Sequence, residues 1–545
     1  MAAMETGTKE DRGRWGATIA IALLAAAAYA NTLGNGFVWD DNTIVLGDPA
    51  IHSLANAPSF FQRGYWGEAD PEYKLYRPVT TLSFAVDWAI GGGSPFPFHL
   101  TNLLLHVVAT LLAFRLMLEL SLAGPACWAD LPWAFLGAAL FAVHPVHTDA
   151  VDSIVQRAEV LAAIGVLGGF LAALHGRWVL LALAFAVGLF SKENAGVLPL
   201  LLAAWALLGP RDQQAGSART SKLALPGRPR WPAYVVCAIV IAGYAYARWK
   251  ALGAVTETHA AFGDAPLRAR LLTMTAVFAD YVRLILVPWP LCADFAVNVN
   301  PAVRVSRLSD PRFLAGAMAA IALSFFWLGQ ALRRRPAAFW GAWAAIALVP
   351  VSNLLVPIGA IEAERFLYLP SVGAFAGLAS LLVRIRTRGV AFVVIALLAS
   401  LTVIRNPVWK THESLLDARM DDAPQNPFPY FYRATLYAQE GNFALALPLL
   451  DHALEEVPGF EKGRQLRARA RGEVGDVSGA AEDLEALVAG HPGWANALAS
   501  LARAYAAMGD REGVRRTLER LDRAGHPADV DLLFELDQLL ERLRR

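Results

Sequence analysis

The chain has 545 residues, 56% of them hydrophobic and only 17% charged, with a mean hydropathy of +0.40. That composition excludes an ordinary soluble globular protein and a disordered one. The formal net charge of +1 averages an apolar part with a polar tail, and no basic stripe with interleaved aromatics marks a nucleic-acid surface.

The first apolar stretch, 15–33, follows Lys9, Arg12 and Arg14. Asn31-Thr32-Leu33 is a poor small-x-small cleavage site, so the stretch reads as an uncleaved first helix. Further stretches of roughly bilayer length lie at 98–120, 132–147, 154–174, 177–191, 195–208, 231–247, 313–332, 339–357, 366–385 and 390–406. This gives about eleven spans in a membrane domain over 1–407, with a large loop at 34–97. Residues 271–290 are apolar too, but carry Asp280 and Arg283, expected as an ion pair, and read as re-entrant or interfacial. Cationic loops stay cytoplasmic. Arg211, Arg219, Lys222, Arg228 and Arg230, then Arg333-Arg334-Arg335, then Arg384, Arg386 and Arg388 fall on one side only in that arrangement. The amino terminus is then cytoplasmic. The loop 34–97, the His144–Asp152 and Ser191–Asn194 turns, Glu362–Tyr368 and the tail all face outward.

Residues 408–545 repeat. Gly441, Gly475 and Gly509 recur every 34 residues, as do Pro424, Pro458 and Pro492, and Ala446 and Ala480 keep the same step. A 34-residue period with these residues is the tetratricopeptide signature, an α-solenoid with a concave groove for a polypeptide acceptor or partner protein. Residues 408–424 read as a degenerate leading repeat, and the Leu532, Leu533, Leu536, Leu539, Leu540, Leu543 stripe as a capping helix. The whole is an all-α protein. The three cysteines, Cys127, Cys237 and Cys292, form neither a disulfide framework nor a zinc motif.

Ionisable residues gather in the outward segments. Asp40-Asp41, beside Trp39 at the interface, offers a general base for an acceptor hydroxyl, against the plainer reading of an acidic turn. If Asp149, Asp152, Gln156 and Glu159 share one helix, their spacing puts them on one face. Arg157 and Glu159 then enter an apolar span, where a charge costs at least about 2.5 kcal/mol and faces a cavity or a partner, each other included. His144 and His147 with Asp40 or Asp41 invite a metal reading, but spacing fixes no third ligand, so none is assigned. Lys192 is a phosphate contact or a snorkelling side chain, and its neighbour Glu193 has a different partner. Arg365, between Glu364 and Tyr368, can grip phosphate bidentately. His106 and Arg115 read as packing and snorkelling residues.

The ordered set resembles the transmembrane and tetratricopeptide O-mannosyltransferase family (TMTC). It comprises Val38-Trp39-Asp40-Asp41, Tyr76-Arg77-Pro78-Val79-Thr80-Thr81-Leu82 and Phe98–His106. His144–Val151, Arg157-Ala158-Glu159, Lys192-Glu193, Pro288–Cys292 and Glu364–Pro370 complete it. The resemblance implies a GT-C membrane fold and an inverting transfer of a sugar, mannose by analogy, from a polyprenyl-phosphate carrier to a Ser/Thr hydroxyl. It makes Asp40 or Asp41 the base. Arg77, His144, His147, Asp149, Arg157, Glu159, Lys192, Glu193, Glu364, Arg365 and Tyr368 become candidates around the donor phosphate and sugar. The tail, with about three full repeats, is short for that family. The Ala-, Leu- and Arg-rich composition reads as bacterial, which places the site on the periplasmic face of an inner membrane with an undecaprenyl-type carrier. Two rivals share these residues: a GT-C enzyme acting on a lipid or glycan, and a non-catalytic membrane scaffold recruiting partners through its repeats.

Overall fold

The computed structural model describes residues 2–70, 73–122, 131–209, 229–254, 261–263, 265–333, 335, 337–382, 388–525, 531, 532, 534, 535, 538 and 541. Among these every regular element is a helix. The chain divides into two compact units, one of residues 1–293 and 304–415, the other of 294–303 and 416–545.

In the first unit the long apolar segments fold as helices because a helix alone satisfies its own backbone groups away from water. In chain order they are α1 (Ala2–Tyr29), α2 (Pro78–Gly91), α3 (Pro95–Leu122), α4 (Leu131–Val143), α5 (Arg157–Leu174), α6 (Trp178–Leu189) and α7 (Leu198–Leu208). They continue as α8 (Trp231–Leu252), α9 (Leu267–Leu286), α10 (Pro311–Leu332), α11 (Ala337–Leu348), α12 (Tyr368–Leu382) and α13 (Arg388–Arg405). Among the described residues each of the eleven expected stretches is mostly helical, though 339–357 leaves helix after Val351 and 383–385 lie outside the described residues. Among the described residues six helical segments are long and apolar enough to cross a membrane, or seven if the pair Pro132–Val143 and Pro145–Asp152, bent by 50°, counts as one span. The others are shorter apolar helices. The protein is a multi-pass membrane protein.

Exposure agrees. Phe325 on α10 and Phe392 on α13 leave over 70% of their surface uncovered, an apolar face that water would not tolerate at this extent. By contrast 89% of the span over α5 is buried, which makes it the central helix. Around it Phe170, Phe185, Trp205, Phe339 and Trp343 form the aromatic core. The segment expected to be re-entrant is the continuous helix α9, with Leu272, Val277, Tyr281 and Leu284 buried and Asp280 within 3.5 Å of Arg283. It is not among the six. Of the cationic loops used for orientation, 210–228, 334 and 383–387 lie outside the described residues, as does Cys127. Cys237 is a buried free thiol.

Among its described residues the second unit holds three helix pairs: Pro427–Gln439 with Phe443–Glu456, Glu461–Glu473 with Val477–Gly490, and Ala495–Ala507 with Arg511–Arg523. Gly441, Gly475 and Gly509 make each turn at φ of 78°, 89° and 78°, a left-handed conformation that glycine adopts without a Cβ clash. The 34-residue period therefore marks one helix pair per repeat. A single helix, His412–Asp422, precedes the pairs. The segment 294–303 is part of this unit: Asp294 accepts from Arg419 and from Asn426, and Asn300 donates to the Gln425 carbonyl. Of the terminal leucine stripe, Leu532 packs in the repeat core, while Leu533, Leu536, Leu539, Leu540 and Leu543 lie outside the described residues.

Glycines set a close crossing where α5 meets α6. A Cβ on Gly165 would overlap the Cα of Gly188, whereas one on Gly168 would meet Ala184 Cβ at an ordinary 3.6 Å. Gly165→Leu should therefore destabilise the detergent-solubilised protein by about 1–3 kcal/mol or more, read as a lower Tm. Gly168→Ala should leave Tm unchanged.

Candidate active site

The cavity that gathers the sequence candidates has a volume of about 480 Å³ and lies within the first unit. Six stretches far apart in the chain wall it: Asp40 and Arg77 from the 34–97 loop, Gln156 from the start of the central span, Lys192, Glu193 and Asn194 from the turn after α6, Arg248 of α8, a stretch from Val349 to Ala360, and Arg365 and Phe366 before α12.

The two adjacent aspartates part company. Trp39 has φ 51°, a left-handed backbone that costs a non-glycine residue about 1–2 kcal/mol. The chain turns there, with Asp41 N–H donating to the Val38 carbonyl at 3.0 Å. The Asp41 carboxylate is fully buried and accepts from the backbone N–H of Val38 at 3.1 Å and of Val155 at 3.0 Å. Burial pushes its pKa up to about 7 despite those bonds. Asp41 therefore pins the loop to the start of the central span and stands outside the cavity wall. Asp40 is on the wall.

The cations are held from beneath. Lys192 Nζ donates to Glu159 Oε1 at 2.6 Å, and Asn194 Nδ2 to Glu159 Oε2 at 2.6 Å. Burial pulls the Lys192 ammonium below its ordinary value, and Glu159 opposes that pull. Arg365 reaches Asp149 Oδ2 twice at 3.1 Å, from its backbone N–H and from Nη1. Burial works against its charge, but Asp149 and Glu159 outweigh it and hold its pKa above the ordinary value. Glu193 lies 3.5 Å from Arg77 and 2.9 Å from Arg248. Burial would raise Glu193, yet the two guanidinium groups bring it below the usual carboxylate range. The Arg77 guanidinium lies over the Tyr65 ring at 5.3 Å.

Other candidates belong to the framework. Arg157 is fully buried. It donates to Asn102 at 2.6 Å, Ser83 at 3.0 Å and the Phe98 carbonyl at 2.9 Å, and pairs with Asp87 at 2.5 Å. Arg157 and Glu159 are thus not paired with each other, and Arg157 does not reach the cavity. Nor do Asp149, Asp152, Gln156 and Glu159 share one helix. The chain is extended at Ser153 (φ −77°, ψ 119°) between a short helix, Thr148–Asp152, and α5. His144 Nδ1 accepts from Val146 N–H, and His147 bonds the Phe141 carbonyl and Ser371 Oγ. The Tyr368 hydroxyl bonds His106, and Glu364 accepts from Cys292 N–H. Arg115 pairs with Glu119. Among the described residues no group of three or more His, Cys, Asp or Glu is placed to hold a metal ion.

Arg248 on α8 was missed in the sequence. Besides Glu193 it bonds Tyr244 at 3.1 Å and the Lys74 carbonyl at 2.7 Å. Its signal was present: an arginine in an apolar span requires a partner. Trp66 and Tyr73, which also face the cavity, gave none.

With the geometry in hand, relatives can be compared. No protein-family profile matches the chain. It is 28% identical over 488 residues to the protein O-mannosyl-transferase TMTC4 of Homo sapiens, covering 79% of this chain and 65% of that one. It is 27% identical over 423 residues to the protein O-mannosyl-transferase F38B6.6 of Caenorhabditis elegans, covering 74% and 57%. Against the protein O-mannosyl-transferase Tmtc2 of Drosophila melanogaster identity is 32% over 308 residues, 53% of this chain and 31% of that. The resemblance read from the motifs is therefore a sequence kinship, and the chain spans less than two thirds of the length of these relatives. Among solved structures, ArnT from Cupriavidus metallidurans bound to undecaprenyl phosphate matches 87% of this chain and 80% of its own at 14% identity. Its TM-score is 0.38, a likeness too distant to build on.

The Asp41 anchor makes a pH prediction. Its folded pKa of about 7 exceeds the ordinary 3.8, so its contribution is most favourable below about 3.8 and is lost as pH rises through about 7. Asp41→Asn stays neutral throughout. The Tm of the wild type minus that of the variant should fall between about pH 4 and pH 8; a constant difference would contradict the assignment.

Proposed function

From this kinship we propose an integral membrane glycosyltransferase that moves mannose from a polyprenyl-phosphate carrier to a Ser/Thr hydroxyl of a polypeptide. The observation that carries the reading is one cavity lined by Asp40, Lys192 and Arg365. An alcohol is a poor nucleophile, and a glycosyl phosphate leaves only if its charge is met. Asp40 accepts the acceptor's O–H proton as the oxygen attacks C1 from the face opposite the phosphate. The C1–O bond to the phosphate breaks, the electron pair stays on the phosphate oxygen, and the configuration at C1 inverts. Lys192 and Arg365 meet the growing phosphate charge with donors already fixed by Glu159 and Asp149. The step needs no further group from the protein.

A second cavity, of about 760 Å³, has an almost wholly apolar wall that includes Phe278, Trp327, Trp340 and Leu378 of α9 to α12. Leu348 and Leu367 on its wall are chain neighbours of Val349 and Phe366 on the polar cavity's wall. In this reading the isoprenoid chain occupies the apolar cavity and its phosphate the polar one. The positive-inside pattern puts the site and the repeats on the extracytoplasmic face, and the repeat groove takes the acceptor polypeptide.

The test is purified protein with radiolabelled polyprenyl-phosphate mannose and a Ser/Thr peptide. Asp40→Asn should lower transfer about 10²–10⁴-fold with Tm unchanged; full transfer by that variant would end the catalytic reading. Glu159→Gln removes the carboxylate that opposes burial of Lys192, so the ammonium should deprotonate at lower pH. Transfer should then fall at the alkaline end of the pH profile first. A uniform loss at every pH would instead point to a structural role for Glu159.

A further inference from the structure

Asn194 is more than nine-tenths buried and lies on the wall of the polar cavity. A carboxylate only accepts, so the contact with Glu159 Oε2 must be made by the amide nitrogen, which fixes the flip of the side chain. The amide oxygen, Oδ1, is therefore turned away from Glu159. It is buried, and among the described residues no donor reaches it. On the same wall the buried indole N–H of Trp66 meets no acceptor among the described residues.

These two atoms define what fits. Phosphate oxygens carry no hydrogen to give Oδ1, and Lys192 and Arg365 already offer phosphate its donors. An unpaired acceptor and an unpaired donor on two residues of one cavity wall, beside the rings of Trp66 and Tyr73, suit a polyhydroxylated ring. Position narrows it further. Asn194 and Lys192 grip the two oxygens of one carboxylate, so a hydroxyl at Oδ1 lies close to the phosphate held by Lys192. In a glycosyl phosphate the hydroxyl nearest the phosphate is that on C2, which is axial in mannose and equatorial in glucose.

We infer that Asn194 is the specificity-determining residue for the donor sugar, its amide oxygen accepting a hydrogen bond from the 2-hydroxyl. This rests on the glycosyl-transfer reading above. The test measures kcat/KM for polyprenyl-phosphate mannose and its 2-deoxy analogue, with a Ser/Thr peptide, in the wild type and in Asn194→Ala. A site built to bond a hydroxyl rejects the analogue lacking it. The wild type should prefer mannose by at least about tenfold, and Asn194→Ala should bring that ratio to within about twofold of unity. An unchanged ratio in the variant, or an equal loss for both donors, would overturn the inference while leaving the transfer reading intact. No transfer by the wild type would overturn both. Asn194→Ser, which keeps an acceptor oxygen, serves if Asn194→Ala does not fold, and should give a ratio between the two.

Discussion

Glu159 is a carboxylate on the most deeply buried of the candidate spans among the described residues. A charge in that position persists only with a partner, since breaking a buried pair leaves an uncompensated ion. Its partners are the Lys192 ammonium and the Asn194 amide, one on each oxygen. The turn after α6 is thereby tied to the central helix, and a cation is presented to the cavity at a fixed place. Asp149 does the same for Arg365 across a different junction. The arrangement spends carboxylates inside the bundle so that cations stand on the cavity wall without having to be ordered when a ligand arrives.

The surroundings follow from that requirement. The central helix is enclosed on nearly every side, and its neighbours turn their apolar faces outward to lipid. Asp41 clamps the loop bearing Asp40 to the backbone at Val155, a few residues before Glu159. Asp40 and Lys192 are therefore positioned from one short stretch, 155–159, to which both the loop and the turn are fastened.

Much of this was legible in the sequence, for reasons that differ by residue. Apolar length alone marks helices, so each expected span has a helix among its described residues. Yet length does not say which crosses, and α6, α7 and α11 are short. The repeat period was readable because each pair needs its glycine at the turn. Asp40 and Asp41 are equivalent by composition, and only the left-handed Trp39 separates them, a conformation no pattern announces. Arg157 and Glu159, two apart on α5, do not face each other, and each finds a partner from a distant segment instead; the bend at Ser153 is what takes Asp149 and Asp152 off that helix. Arg248 was missed because the apolar stretch was ended at 247, one residue short of it, whereas the helix runs on to Leu252. The orphaned oxygen of Asn194 gave no signal, because it depends on which atom faces Glu159.

The account rests on the polar cavity receiving a lipid-linked phosphate. The most direct measurement is an experimental structure of the full chain in a lipid nanodisc with polyprenyl phosphate. Phosphate density in contact with both Lys192 and Arg365, with Asp40 across the cavity from it, is the expected result. Phosphate bound elsewhere on the molecule, with those two side chains untouched, would contradict the account.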